Sequence, residues 1–525
     1  MQTRIPPALL LFSALTLHSA VAQTDAPAPG PGIYTLPPLS APFISSSTIY
    51  REGGLSGLHY IGGNEFWYIT DRGPNVDSGS NKVFATPEFQ PRIYRLRVSA
   101  GTIAIIDSIL LRSDAGGPTS GLTNPAPYNT GETAYDTSFT PLPADEWGFD
   151  PEGLVQAPDG TFWFCEEYAP GIAQFGANGR IIRRVRPQPA PGGLPDILRK
   201  RNPNRGAEGI CITPNGRIYT IVQSGMLNSA ANTADANKTA GERTEVLRLV
   251  EFDPATGLSR MFPYLMDEGY PNGGSGIRKR DIKIGEMVSL NNNELLLIEH
   301  AQRDGQNVKR VYKVGLAGAT PITNEVFQVE SASKSLEELS RSEIATVAGL
   351  TPVTKTLILD MLAPGSGNPV WPDSLDKPEG LAVLDPTTII IGNDNDFGVV
   401  SPNADGIITL TGRATNLYVF RLPAPLDFQR VSGVGSGSAH ASVEIAPNPV
   451  TGRVVDVTLN IPEPASAHIA LFDIDGNAVA SSEQTLTSAG RHTLRLDVEA
   501  LPAGLYHLRS TVGTTSASHT VIIAR

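Results

Sequence analysis

Five segments of the sequence carry a small, acidic or amide side chain at two positions a fixed interval apart. They are SGLHYIGGNEFWYITD from Ser56, EGLVQAPDGTFWFCEE from Glu152, EGICITPNGRIYTIVQ from Glu208, EMVSLNNNELLLIEH from Glu286 and EGLAVLDPTTIIIGND from Glu379. Fifteen residues after the first position stand Asp71, Glu167, Gln223 and Asp394; in the segment from Glu286 the turn is shorter, and Glu299 follows after thirteen. Turns such as PDG, PNG and GGN mark each segment as a β-hairpin, which brings the start of its first strand beside the end of its second. Both marked positions then share one edge. Asp71, Glu152, Glu167, Glu208, Glu286, Glu299, Glu379 and Asp394 are expected to gather there, with Ser56, Gln223, Asn393 and Asp396 beside them.

So many carboxylates repel one another, and either cations hold them together or several keep their protons. Ligands that are all oxygen select hard metals, Ca²⁺ ahead of Mg²⁺ or Mn²⁺. His59 and His300 are the histidines of the main body, which argues against a histidine-ligated zinc. The candidate metal ligands are Asp71, Glu152, Glu167, Glu286, Glu299, Asp394 and Asp396. Glu208 and Glu379 are the candidates to orient or deprotonate a water. Arg72, Arg205 and Arg303 are the candidate substrate-binding cations, with Lys309 a fourth, because arginine grips phosphate bidentately. No G-x-S-x-G elbow and no P-loop occurs in the body. DIDGN (Asp473 to Asn477) lacks the distal glutamate of a calcium loop and is expected to be a turn. A plainer reading remains beside this one: acids at strand ends are often solvated or cap backbone groups.

The repeated hairpins, with further strands such as PRIYRLRV and EVLRLVEFD behind them, are the pattern of four-stranded propeller blades with loop insertions. The long interval from Glu286 to Glu379 has room for a degenerate blade around Ile344–Met361. Six blades are therefore the preferred count and five the alternative. With 52 Gly and 43 Pro among 525 residues, short strands and tight turns are expected rather than long helices. The net charge of −12 argues against nucleic acid and poses a question for any anionic substrate.

Residues 1–22 read as a signal peptide: Arg4, an apolar run from Ala8 to Leu17, and Ala20-Val21-Ala22 as the cleavage site. The run is too short to span a bilayer, and no other transmembrane candidate is present. The expected order is a Pro/Ala-rich spacer at 23–38, an all-β propeller at 39–425, a Gly/Ser-rich linker at 426–442 and a small β-sandwich at 443–525. Cys165 and Cys211, each in an apolar run, are expected to be buried free thiols.

The segments DPEGL, FWFCEEYAPGIAQF, NRGAEGICITPNGRIYTIVQS and IIIGNDNDFG give the body a resemblance to the phytase-like family, described by an esterase-like activity of phytase. In LLLIEHAQRD, Glu299 matches the family's Glu-Arg-Asp cluster, His300 replaces its arginine, and Arg303-Asp304 follow later. The resemblance implies phosphoester or general ester hydrolysis on a propeller. Two alternatives stay open: a calcium-dependent carboxylic ester or lactone hydrolase, and a surface binding propeller whose acids hold structural calcium. The tail, with IAPNPVTG, LPAGLYHLR and a final HTVIIAR, resembles a type A sorting domain of the type IX secretion system. That implies passage across the outer membrane by that machinery, removal of the tail, and an enzyme secreted or attached to the surface.

Overall fold

A computed structural model describes residues 26–37, 52–431 and 442–524, with short gaps at 129–130, 189–191, 269–275, 323–327, 330–333, 347, 401–408, 447–449, 462–463, 474–477, 489 and 513–514. The expected leader, most of the linker and most of the DIDGN turn lie outside the described residues.

Runs of Ile, Val, Phe, Tyr and Trp bounded by tight turns form five antiparallel blades, three of them separate four-stranded sheets and two joined into one eight-stranded sheet by a parallel contact of Thr35 with Thr102. Gly160 and Gly216 hold φ near +83° and +81° at the PDG and PNG turns, a conformation open to glycine at little cost. Blade I comprises Leu55–Gly62, Glu65–Thr70, Arg92–Ser99 and Thr102–Leu110, and blade II Pro151–Gln156, Phe162–Glu166, Gly171–Phe175 and Ile181–Val185. Blade III comprises Ala207–Ile212, Ile218–Val222, Val246–Phe252 and Ser259–Leu265. Blade IV runs through Lys283–Ser289, Glu294–Arg303, Gln306–Gly315 and Thr354–Asp360, and blade V through Pro378–Asp385, Thr388–Asn393 and Asn416–Arg421.

The first strand of each blade packs against the first strand of the next, and that of blade V returns to that of blade I. The body is a closed five-bladed β-propeller. The preferred count of six is thereby corrected. The stretch around Ile344–Met361 is not a blade: Thr354–Asp360 pairs with Gln306–Gly315 as the outer strand of blade IV. The residues before it form an insertion that includes the short helix Arg341–Thr346.

The spacer expectation also changes. Gly32–Thr35 pairs antiparallel with Asn416–Arg421 and completes blade V, so the propeller's first and last strands share one sheet. This closure ties the ring without leaving a three-stranded blade with an open edge. Apolar layers between blades form the core, with Ile210, Ile221, Leu249 and Met287 in one cluster and Leu296, Ile391, Tyr418 and Trp371 in another. Cys165 and Cys211 are buried free thiols within it. A small sheet of Asn75–Ser78, Asn81–Phe84 and Ala134–Tyr135 grows from loops of blade I.

Residues 442–524 form a separate pair of sheets of three and four strands around their own core of Val455, Val457, Ile469, Leu471, Leu494 and Leu508. Among the described residues, no helix is long and apolar enough to cross a membrane.

Candidate active site at the axial mouth

Strand register shows how each blade aims its polar groups. In blades I, II, III and V the inner strand carries a β-bulge at its start, in equivalent register, and the extra residues are Ser56, Glu152, Glu208 and Glu379. A bulged residue leaves the ladder and its side chain is re-aimed. Beside it, the backbone N–H groups of Asp71, Glu167, Gln223 and Asp394 donate to the carbonyls of Gly54, Asp150, Gly206 and Lys377. Each blade thus offers three positions at its mouth: the residue two before the bulge, the bulged residue, and the residue ending the second strand.

Blade IV departs from the sequence alignment by one residue. Ile284 pairs with Glu299, and Lys283 with His300. The structural counterparts of Asp150, Glu152 and Glu167 are therefore Lys283, Gly285 and His300. Glu286 sits where the other blades carry glycine and turns inward: its Oε1 accepts from Ile210 N at 3.0 Å and Met287 N at 2.8 Å. Burial and those bonds act oppositely on its carboxyl, and burial wins, raising its pKa well above the usual range. Glu299 instead accepts from the Tyr264 hydroxyl at 2.7 Å and Asp267 N at 2.9 Å and pairs with Lys355. Both were expected at the mouth; both are buried structural acids.

The glycine after the bulged residue has a separate cause. A Cβ on Gly209 would stand 2.8 Å from Met287 N, and one on Gly153 would stand 3.1 Å from Ile210 N. The inner strands converge at the axis, and the Glu-Gly pair joins a re-aimed acid to a backbone that a neighbour touches.

The mouth opens into a cavity of about 800 Å³. Of the expected residues, Asp71, Arg72, Glu152, Glu167, Arg205, Glu208, Gln223, Glu379, Asp394 and Asp396 line it. Arg303 does not; it pairs with Asp281 and Asp304. Lys309 is buried against Asp376 at 3.1 Å. Ser56 and Asn393 are buried in their strands, and Asn393 bonds Asn416 N and the carbonyls of Asp394 and Ala414. Sequence reasoning missed Lys283, Lys377, Glu132 and Arg413, which also line the cavity, and Asp150 at its edge. The signal for three of them was the residue two ahead of each bulge.

Two halves of the mouth differ in charge. On blade II, carboxylate oxygens of Asp150, Glu152 and Glu167 lie within 4.8 Å of one another. On blade V, Lys377 Nζ sits 2.8 Å from Asp394 and 2.6 Å from Asp396. Burial raises Glu152, Glu208, Glu379 and Asp71 well above the usual carboxylate range, with neighbouring acids adding to the rise. Burial and Asp150 bring Glu167 to about 7, and Asp394 stands at about 6 because burial outweighs Lys377. Asp396 feels the same burial, but the charge and hydrogen bond of Lys377, a bond with Asp394 and the charge of Lys283 together outweigh it, and its pKa falls. Arg72 is committed: its guanidinium contacts Glu132, Asp150, the Tyr168 hydroxyl and Asn204.

These donors suit a hard cation. Glu167 Oε1 and Glu208 Oε2 are buried without a hydrogen-bond partner among the described residues, a costly state that an ion relieves. Oxygen ligands from Asp150, Glu152 and Glu167 match the preference of calcium.

Residues 51–397 match the phytase-like family model, "Esterase-like activity of phytase", and residues 444–524 match the secretion system C-terminal sorting domain. A curated relative, an "Uncharacterized secreted protein" of Arthroderma benhamiae, is 24% identical over 233 residues, covering 36% of this chain and 44% of its own length. Among solved structures, PorZ of Porphyromonas gingivalis, an essential surface component of the type-IX secretion system, is 10% identical with a TM-score of 0.28. That likeness covers 90% of this chain and 60% of PorZ. A family 43 arabinoxylan arabinofuranohydrolase from Bacillus subtilis is 10% identical with a TM-score of 0.31, over 92% of this chain and 97% of its own. The matched regions thus span less than two thirds of the curated relative and of PorZ, and the propeller assignment rests on strand order, not on these scores. The C-terminal sandwich is the type IX sorting domain read from IAPNPVTG and LPAGLYHLR, and the protein is exported, to be secreted or held at the cell surface. With two thirds of its length matched and the acidic propeller mouth inside the match, the chain belongs to the phytase-like family.

Proposed function

We propose that the axial mouth hydrolyses ester substrates, phosphate monoesters foremost, with one divalent cation, calcium first, held by Asp150, Glu152 and Glu167. The carrying observation is that three blade II carboxylates crowd within 4.8 Å with Arg72 on Asp150 as their one ion pair among the described residues, while the two blade V aspartates share Lys377. A bound cation would supply charge neutralisation and Lewis acidity. The protein's own groups do the rest. Glu208 is oriented by Gln223, whose Nε2 donates to its Oε1 at 2.7 Å, leaving the buried Oε2 without a hydrogen-bond partner among the described residues. Burial, with the charges of Glu167 and Glu379, raises its pKa, which favours a carboxyl that keeps a proton to give. Glu379, raised likewise, stands across blade IV from it. One carboxylate takes a proton from the attacking water and the other returns one to the leaving oxygen.

The test is turnover of p-nitrophenyl phosphate, phytate and p-nitrophenyl acetate with calcium and with EDTA. Phosphate-ester turnover that stops in EDTA is expected. Turnover of the carboxylic ester alone would move the reading to an esterase or lactonase. Thermal stabilisation by calcium with no turnover of any ester would leave a binding propeller and overturn catalysis.

A further inference from the structure

Most cations at the mouth are already engaged. Arg72 is held by two carboxylates, a tyrosine hydroxyl and an asparagine; Lys377 lies between Asp394 and Asp396. Lys283 is different. It lines the cavity, half-buried, and among the described residues its ammonium makes no ion pair and no hydrogen bond. It occupies the register position that holds Asp150 in blade II, so blade IV places a positive charge where blade II places a negative one.

The charge of Lys283 lowers the carboxyls of Glu208, Glu379 and Asp376, but among the described residues none of them stands in ion-pair range of it. Across the ladder stands His300, 1% exposed, with neither ring nitrogen bonded among the described residues. Burial, with the charge of Lys309 adding to it, drives its pKa well below the ordinary value, so it stays neutral at pH 7. Asp376, the carboxylate of this cluster, pairs with Lys309 instead. A half-buried ammonium loses part of its hydration, and an arriving anion restores that interaction.

We infer that Lys283 is the specificity-determining cation of the cavity, gripping the dianionic group of a phosphate monoester across from the blade II carboxylates, with Arg205 at the rim beside it. Arg205 lines the same cavity; its guanidinium donates to the Arg280 carbonyl at 3.0 Å and makes no ion pair among the described residues. This assignment takes its substrate class from the hydrolysis reading above, but the anion site itself does not depend on turnover. It also answers the question raised by a net charge of −12: the positive charge is local.

The test is calorimetric titration of the full chain, in calcium buffer, with phenylphosphonate, a phosphate-monoester analogue that is not hydrolysed. Lys283→Met should weaken binding by about 10- to 100-fold, the range for a lost charge-assisted bond. Lys283→Arg should keep it within about threefold, since the charge is retained. Lys283→Gln replaces the methionine variant if that fails to fold, as judged by its melting curve. Wild-type affinity in the neutral variant, or no binding by the wild type, overturns the assignment. Binding that depends on Lys283 in a protein that turns over no ester keeps the anion site and defeats the hydrolysis reading alone. Phosphate-ester turnover with unchanged KM in Lys283→Met defeats the anion site alone.

Discussion

At the scale of single residues, the mouth is a set of acids held above their ordinary pKa by burial and by one another. Glu167 at about 7 is the measure of this, against an ordinary glutamate near 4.5. A group whose pKa is raised on folding favours the protonated fold. Its contribution is complete below the unfolded value and disappears as pH rises through the folded one. Buried His59, lowered to about 4, works in the opposite sense, but only below its unfolded value of 6.5. Between pH 6.5 and 8 the carboxylates therefore act alone. In EDTA the melting temperature should fall by about 5 °C over that interval, and calcium should restore it, more strongly at pH 8, where fewer protons compete. Scanning calorimetry at the two pH values checks this; a flat profile would mean the acids are solvated. Much of this chemistry was legible in the Glu-Gly repeats, which place Glu152, Glu208 and Glu379 correctly. Blade IV was not, because a shorter turn hides a one-residue shift: Glu286 and Glu299 fit the sequence pattern, while Lys283 takes the place at the mouth with His300 buried across the ladder from it.

At the scale of elements, the repeated device is a bulge followed by glycine. The bulge turns the acid out of the ladder, and the glycine admits the neighbouring inner strand. Gly209→Ala tests the pairing of these roles. Its new Cβ would stand 2.8 Å from Met287 N, so backbone must shift, and a loss of about 2 kcal/mol is expected in urea unfolding. The shift would also displace Glu208, one residue away, and weaken calcium binding. An alanine variant of wild-type stability would show that the strands do not converge as described. Hairpins were readable from turn residues and alternating apolar positions. The position two before each bulge was not, because Asp150 and Lys377 precede their strands and appear as loop residues next to proline.

At the scale of the whole molecule, five blades close because Gly32–Thr35 returns to pair with Asn416–Arg421. Four residues among prolines carry little local strand signal, so this closure is a tertiary fact that sequence pattern does not disclose. The blade count failed for a related reason: the long interval in blade IV holds an insertion before the blade's own outer strand, and length alone does not separate that from an extra blade. What closure creates is a mouth with two characters, crowded acids on blade II, of which Asp150 is paired with Arg72, and ammonium groups on blades IV and V, opening on a cavity of about 800 Å³. The sorting domain keeps a core of its own and carries the propeller out of the cell. The most direct test is hydrolysis of p-nitrophenyl phosphate by the wild type and by the Glu152→Gln/Glu379→Gln double variant, each with calcium and with EDTA. The wild type should turn over only with calcium, and the double variant should fall by at least about 100-fold, as expected when a cation ligand and a proton-transfer group are both lost. Full activity of the double variant in EDTA would contradict the acidic mouth as the site of reaction.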